Sequence, residues 1–171
     1  MHFKSTLIYY LGWVSVAKNQ KDCGSCSAFA QIGMAETSLI KAGAKKEGMD
    51  LSEDWVINCR QDGSDVCDGA HISDYAQYMV KKGGLIHEKT SPYTTQKGSK
   101  TGPCVTKPYW SPGYKFVKTV VEWGPAGWGK NQGPTDEQIM MQVMEHGSSV
   151  IGVYAHGPVF SYKSGVLDTC R

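Results

Sequence analysis

The sequence predicts an α+β fold with two lobes, helical in front and strand-like behind. Three observations carry that prediction. Apolar residues recur at helical spacing up to about residue 82 and again from 135 to 146. From Tyr114 to Trp123, and from Ser148 to Ala155, the pattern turns to β-rich residues, alternating in the first of these runs. The 20 Gly and 7 Pro are generous for 171 residues and predict long connections between these elements.

The helical elements follow in chain order. Residues 26–42 carry Phe29, Ile32, Glu36 and Leu39 on one face among many small side chains, with Gly43 placed to stop the helix. Ser52 is positioned to cap a short helix through Asn58, with Glu53 and Asp54 at its positive end. Ser73 is positioned to cap another through Lys82, ended by Gly83 and Gly84. Thr135 and Gln138 form a capping box, and the helix they start should turn Ile139, Val143 and Met144 inward. Between the helices and the last run, Gly124 to Pro134 reads as a Gly-, Pro- and Trp-bearing loop.

Composition excludes several functions. A hydrophobic fraction of 40% supplies a core, and a net charge of +2 without a block of like charge gives nucleic acid or an acidic membrane nothing to bind. No apolar run reaches the ~20 residues of a membrane-spanning helix. The N-terminus has two readings. Met1 to Ala17 has the crude outline of a secretory leader, a basic residue followed by an apolar stretch. Its apolar core from Leu7 to Leu11 is short, which favours Trp13 to Ala17 as the start of the folded domain.

Cys23, Cys26, Cys59, Cys67, Cys104 and Cys170 can pair in many ways. Cys23-Gly-Ser-Cys26 has the spacing of a zinc half-site or a redox dithiol, but no second close pair of Cys or His completes a zinc site. Cysteines so widely scattered point to disulfides and an oxidising compartment, lysosomal or secreted.

The chemistry concentrates in Asn19-Gln-Lys-Asp-Cys-Gly-Ser-Cys-Ser-Ala-Phe-Ala30. Cys26 opens a predicted helix, where free N–H groups and the helix dipole favour the thiolate, the nucleophilic form. Gln20, six residues upstream, can place its amide beside the Cys26 N–H, and two such donors make an oxyanion hole for acyl transfer. The bland alternative makes Cys26 a small buried hydrophobe at a helix start.

Gln20…Cys23-Gly-Ser-Cys26-Ser-Ala-Phe resembles the active-site signature of papain-like cysteine proteases, the cathepsin family. The resemblance continues through Leu51-Ser-Glu-Asp-Trp-Val-Ile-Asn-Cys59, Cys67-Asp-Gly-Ala70, Tyr78 to Gly84 and Ser91-Pro-Tyr93. It ends with Ile139 to Gly147 and Tyr162-Lys-Ser-Gly-Val166, and so spans residues 12–171 in the family's order, leaving 1–11 unassigned. It implies a papain-like two-lobe fold whose second lobe is barrel-like and incomplete in this chain. Cys26 would be the nucleophile of a cysteine endopeptidase and Gln20 its oxyanion donor. Cys23 would pair with Cys67, and Cys59 with Cys104. Gly24, Ser25, Gly69, Ala70 and His71 would line the substrate cleft, with Ile151 and Gly152 near the floor of the pocket for the substrate's second side chain. No metal or organic cofactor is implied.

The family's mechanism also needs a His base and an Asn to orient it, about 130–150 residues after the Cys. That window holds His156 but no Asn, and Ala155-His-Gly-Pro158 precedes Tyr162-Lys-Ser-Gly165 where the family's His follows it. The expectation is therefore a peptidase domain lacking its C-terminal part, inactive as this chain alone. Cys170, left over once the implied bridges form, would bond a light chain carrying the missing residues. A peptide or protein substrate, a propeptide and a cystatin-like inhibitor are the other partners implied. The rival is a non-catalytic homologue that binds peptides or serves structurally, to which two departures contribute. Ser27 stands where the family has an aromatic residue, and Ala70 where it has a second Gly.

Overall fold

The computed structural model describes residues 12–59, 67–82, 84–97, 101–105, 135–150, 152, 157 and 161–163. Four helices run through them: α1 (Cys26–Lys41), α2 (Glu53–Cys59), α3 (Ile72–Lys82) and α4 (Asp136–His146). The β-rich run from Tyr114 to Trp123 lies outside the described residues, as does most of the run after Ser148, of which 148–150 is irregular chain. The second lobe's barrel therefore falls outside the description as well.

Helix α1 is the axis of the helical lobe. Ala28, Ile32, Ala35 and Leu39 recur at intervals of three and four, are buried, and face α2 and α3. The helix stops as its sequence predicts. Gly43 takes φ 101°, a conformation that strains a residue bearing Cβ. Its N–H reaches the Ile40 carbonyl at 3.0 Å and the Ala44 N–H reaches Leu39 at 2.9 Å, satisfying two of the carbonyls a helix end leaves open.

Helix α2 is short and wholly buried, so its stability comes from its surroundings rather than its length. Trp55, 1% exposed, fills the centre of the core, and its ring nitrogen donates to the Val105 carbonyl at 2.7 Å. A buried indole needs such a partner. Asn58 accepts from the Gly102 N–H at 2.7 Å, and a side chain at Gly102 would press on it at 3.0 Å. The Cys59–Cys104 disulfide closes the same corner. Tyr75, Ala76 and Met79 form the inward stripe of α3. Leu51, Leu85 and Ile86 complete the cluster, tied by an antiparallel bridge between Leu51 and His87.

Two expectations about helix starts and faces are corrected. Helix α3 begins at Ile72, so Ser73 lies inside its first turn, and the Asp74 N–H is taken by the His71 carbonyl at 3.1 Å. Helix α4 has the expected capping box at Thr135 and Gln138, but Met144 is 56% exposed rather than inward. The reason is that α4 buries no residue completely and joins α1 chiefly by its end. Lys41 of α1 donates to the Met144 and Glu145 carbonyls, and Ser38 donates to the His146 carbonyl at 3.2 Å. A cation and a hydroxyl thus serve the carbonyls that every helix C-terminus leaves open.

Candidate active site

The site is built on the start of α1 and the chain leading into it. Lys18, two residues before Gln20, fastens that approach. Its ammonium lies 2.9 Å from Glu36 of α1, 3.0 Å from Asp50 and 3.0 Å from Glu53 of α2, and it donates to the Leu51 carbonyl at 2.6 Å. Burial draws the Lys18 ammonium toward deprotonation, but the three carboxylates outweigh it and hold its pKa above the usual lysine range. Glu36 also accepts from the Leu51 N–H at 2.7 Å and from the Ser15 hydroxyl. Glu53 has fewer donors, and burial pushes it up to about 7 against the pull of Lys18.

Past Lys18 the chain turns sharply. Lys21 adopts φ 53°, and its N–H bonds the Asn19 side chain at 2.8 Å. The Gln20 amide donates to the Cys23 carbonyl at 2.8 Å, so the side chain lies back across the turn toward the segment that leads to Cys26. An amide nitrogen carries two hydrogens, and this bond uses one.

Two clamps join this turn to the loop at 67–70. The Cys23–Cys67 disulfide is covalent. Beside it the Gly24 N–H donates to the Cys67 carbonyl at 3.0 Å. A Cβ on Gly24 would sit 2.1 Å from that carbonyl oxygen, so only glycine permits the approach. Gly69 takes φ 88° close by, with the Gly24 carbonyl 3.9 Å from where its Cβ would stand. Gly24 and Gly69 are thereby brought together next to the start of α1, with Ala70 following Gly69 in the chain.

Cys26 is the first residue of α1, is exposed, and is the free cysteine among the described residues. This overturns the reading of Cys26 as a buried packing residue. Ser25 stands at the capping position, fully buried, yet its hydroxyl makes no bond to the helix. It meets the Tyr93 hydroxyl instead, at 2.9 Å. The Tyr93 hydroxyl donates its one proton to the Gln20 carbonyl at 2.9 Å, so Ser25 is the donor to Tyr93. Burial pushes the Tyr93 phenol upward, which keeps it a donor.

Sequence reasoning noted Tyr93 only within Ser91-Pro-Tyr93 and gave it no role at the site. Its position comes from α2. Asp54 accepts from Thr94 and Thr95 N–H groups at 3.1 and 3.0 Å and from the Thr95 hydroxyl at 2.6 Å. The Ser52 hydroxyl donates to the Ser91 carbonyl at 2.5 Å, and Glu88 accepts from the Tyr93 N–H at 2.7 Å. The ring then lies edge-on to Phe29 of α1, with centroids 4.9 Å apart, and Lys21 stands 5.9 Å over it.

Of the other expected site residues, His71 is exposed at the start of α3, and Gly152 is exposed. Ile151, His156 and Cys170 lie outside the described residues. His87 is engaged on both ring nitrogens, Nε2 with the Gly48 carbonyl at 2.9 Å and Nδ1 with the Lys89 N–H at 3.2 Å. These contacts fix it as a structural histidine.

Residues 10–171 match the model of the papain family of cysteine proteases. The chain belongs to that family. Among curated relatives, human cathepsin L2 is 37% identical over 83 residues, 48% of this chain and 24% of its own length. Rat procathepsin L is 36% identical over 89 residues, 52% of this chain and 26% of the relative. The Arabidopsis thaliana cysteine protease XCP2 is 29% identical over 160 residues, 92% of this chain and 40% of the relative. The papain-family chain thus spans well under half the length of these relatives. A solved structure of bromelain from Ananas comosus with the E64 inhibitor covers 55% of the chain, at 32% identity and a TM-score of 0.46, and is itself covered to 42%. The papain-family helical lobe, with its two disulfides, is the part that the described residues display.

Proposed function

We propose that this papain-family domain cleaves peptide bonds through Cys26. The observation that supports it most is a free, exposed thiol at the first residue of a 16-residue helix. The thiolate adds to the peptide carbonyl, and the oxyanion is received by the Cys26 N–H and the second hydrogen of the Gln20 amide. The amine leaves with a proton, and water releases the thioester acyl-enzyme. Gly69 and Ala70 offer main-chain groups to an extended peptide, with Gly24 and Ser25 on the facing wall and His71 at the rim. Ile151 and Gly152 are assigned to the floor of the pocket for the substrate's second side chain.

The proton shuttle in this reading is a His oriented by an Asn, both from outside the described residues. A light chain bonded through Cys170 is the form proposed for it, so the lone chain hydrolyses peptides negligibly. A propeptide or a cystatin-like inhibitor would occupy the same cleft, in a lysosomal or secreted setting that suits the disulfides.

The test is the mass of the native protein before and after reduction, with peptidase activity measured on each species. A heavier species that separates into this chain and a smaller one, and that turns over a peptide only while joined, supports the proposal. A lone chain whose Cys26 reacts with iodoacetamide no faster than a simple thiol, even beside a supplied light chain, supports the non-catalytic homologue instead.

A further inference from the structure

The reaction above assigns Tyr93 nothing, yet its hydroxyl stands between both halves of the site. It donates to the carbonyl of Gln20, whose amide is the proposed oxyanion donor, and it accepts from Ser25, the neighbour of Cys26. Sixty-eight residues separate it from Ser25 and 73 from Gln20, so the contact is wholly tertiary. Both bonds are 2.9 Å long, and the ring is braced against Phe29 of the nucleophile's own helix.

The two ends need such a link. Gln20 is carried by a turn that includes a non-glycine residue at positive φ, and Cys26 by the rigid start of α1. An oxyanion hole works only if its donors hold a fixed separation at the moment charge develops. The disulfide and the Gly24 bond fasten the middle of this turn to another loop, not Gln20 to Ser25. Tyr93 alone among the described side chains bonds both.

We infer that Tyr93 is a positioning residue for acyl transfer, locking the Gln20 turn to the Cys26 helix so that the two oxyanion donors stay in register. The inference rests on the proposed reaction and deepens it. It also accounts for the uncapped start of α1. With its hydroxyl turned to Tyr93, Ser25 makes no side-chain bond to the helix it precedes.

The test contrasts two reagents on the full chain. A peptide aldehyde, acetyl-phenylalanyl-glycinal, forms a hemithioacetal. The Cys26 sulfur bonds the aldehyde carbon, the carbonyl electron pair moves to oxygen, and the thiol proton ends on that oxygen. Its tetrahedral oxygen takes the place of the oxyanion beside the two donors, so its affinity depends on their position. Iodoacetamide alkylates the same sulfur with loss of iodide and develops no oxyanion. Tyr93→Phe keeps the ring and its packing on Phe29. It is expected to weaken the aldehyde about tenfold while changing the alkylation rate less than about twofold. Gln20→Ala should weaken the aldehyde at least as much, and the double variant no further than Gln20→Ala alone, since Tyr93 acts through Gln20. Ser25→Ala supplies a second cut in the link and should shift the aldehyde in the same direction.

Unchanged aldehyde affinity in Tyr93→Phe, or additive losses in the double variant, overturns the inference and leaves the proposed reaction standing. Equal losses with both reagents, accompanied by a lower melting temperature, overturn it in favour of a purely structural tyrosine. Wild-type chain that binds the aldehyde no better than Cys26→Ala overturns the proposed reaction and this inference together.

Discussion

Helices α1 and α4 begin in opposite ways. At α4, Thr135 and Gln138 close a reciprocal capping box, and Asp136 and Glu137 set negative charge against the positive end of the dipole. At α1 the first turn has no acidic residue, and the serine at the capping position bonds elsewhere. A helix start without a side-chain cap leaves first-turn N–H groups open to another acceptor, whereas a filled one is dedicated to stability. Helix α2 lies between the two. Ser52 caps it by accepting from the Trp55 N–H at 3.0 Å, but its first-turn acids are buried and spent on Lys18 and on the segment that carries Tyr93. The three helix starts therefore differ in what holds them: none of its own side chains caps α1, buried acids of α2 are turned to other segments, and a full capping box closes α4.

The sharpest way to break the contrast is to disturb the chain entering α1. Gly24→Ala forces a Cβ to within 2.1 Å of a main-chain oxygen, so the turn must move. The expected cost is about 3 kcal/mol or more, read by urea unfolding, together with loss of aldehyde binding. An alanine that leaves both untouched would show that the clamp does not set the site.

The acids of α2 give the next effect, through pH. The Glu53 carboxyl is raised by burial from its ordinary 4.5 to about 7, so the folded state holds a proton that the unfolded chain releases between those values. Its contribution is fully present below 4.5 and is lost as pH rises through about 7. Lys18 stays charged throughout, with Glu36 and Asp50 as the other groups facing it. Stability should fall by about 3 kcal/mol from pH 4 to pH 8 on this account, and Glu53→Gln should flatten the slope. A wild-type profile that rises over this range would contradict it.

Smaller effects separate the two helix starts directly. Thr135→Ala should cost about 1 kcal/mol by removing half of the capping box, while Ser25→Ala should forfeit no capping energy because Ser25 caps nothing. Thermal unfolding of both variants decides it, and a similar capping loss at Ser25 would erase the distinction. Smallest is Ser27→Ala. The Ser27 hydroxyl is buried and has no partner among the described residues. Its removal should stabilise the lobe by roughly 0.5 kcal/mol.

Much of this was legible beforehand because it is local. The stop at Gly43, the capping box at Thr135 and the capping Ser52 all act within about one helical turn, so residue type and spacing suffice to place them. Faces and margins were less legible. Met144 has helical spacing to Ile139 and Val143, but α4 meets the lobe by its end, and no periodicity reports how a helix docks. Ser73 is a capping residue type, yet the helix starts one residue before it, and the Asp74 N–H donates to the His71 carbonyl.

The sequence by itself determined the helices and the family to which the residues from Asn19 to Ala30 point. Those are properties of short stretches read in order. Tertiary structure alone decided that Ser25 turns away from its helix, that Tyr93 reaches Gln20 from 73 residues off, and that Glu53 is buried beside Lys18. Each depends on which surfaces pack together, and hydroxyls and carboxylates carry no local signal of the partner that packing will bring them.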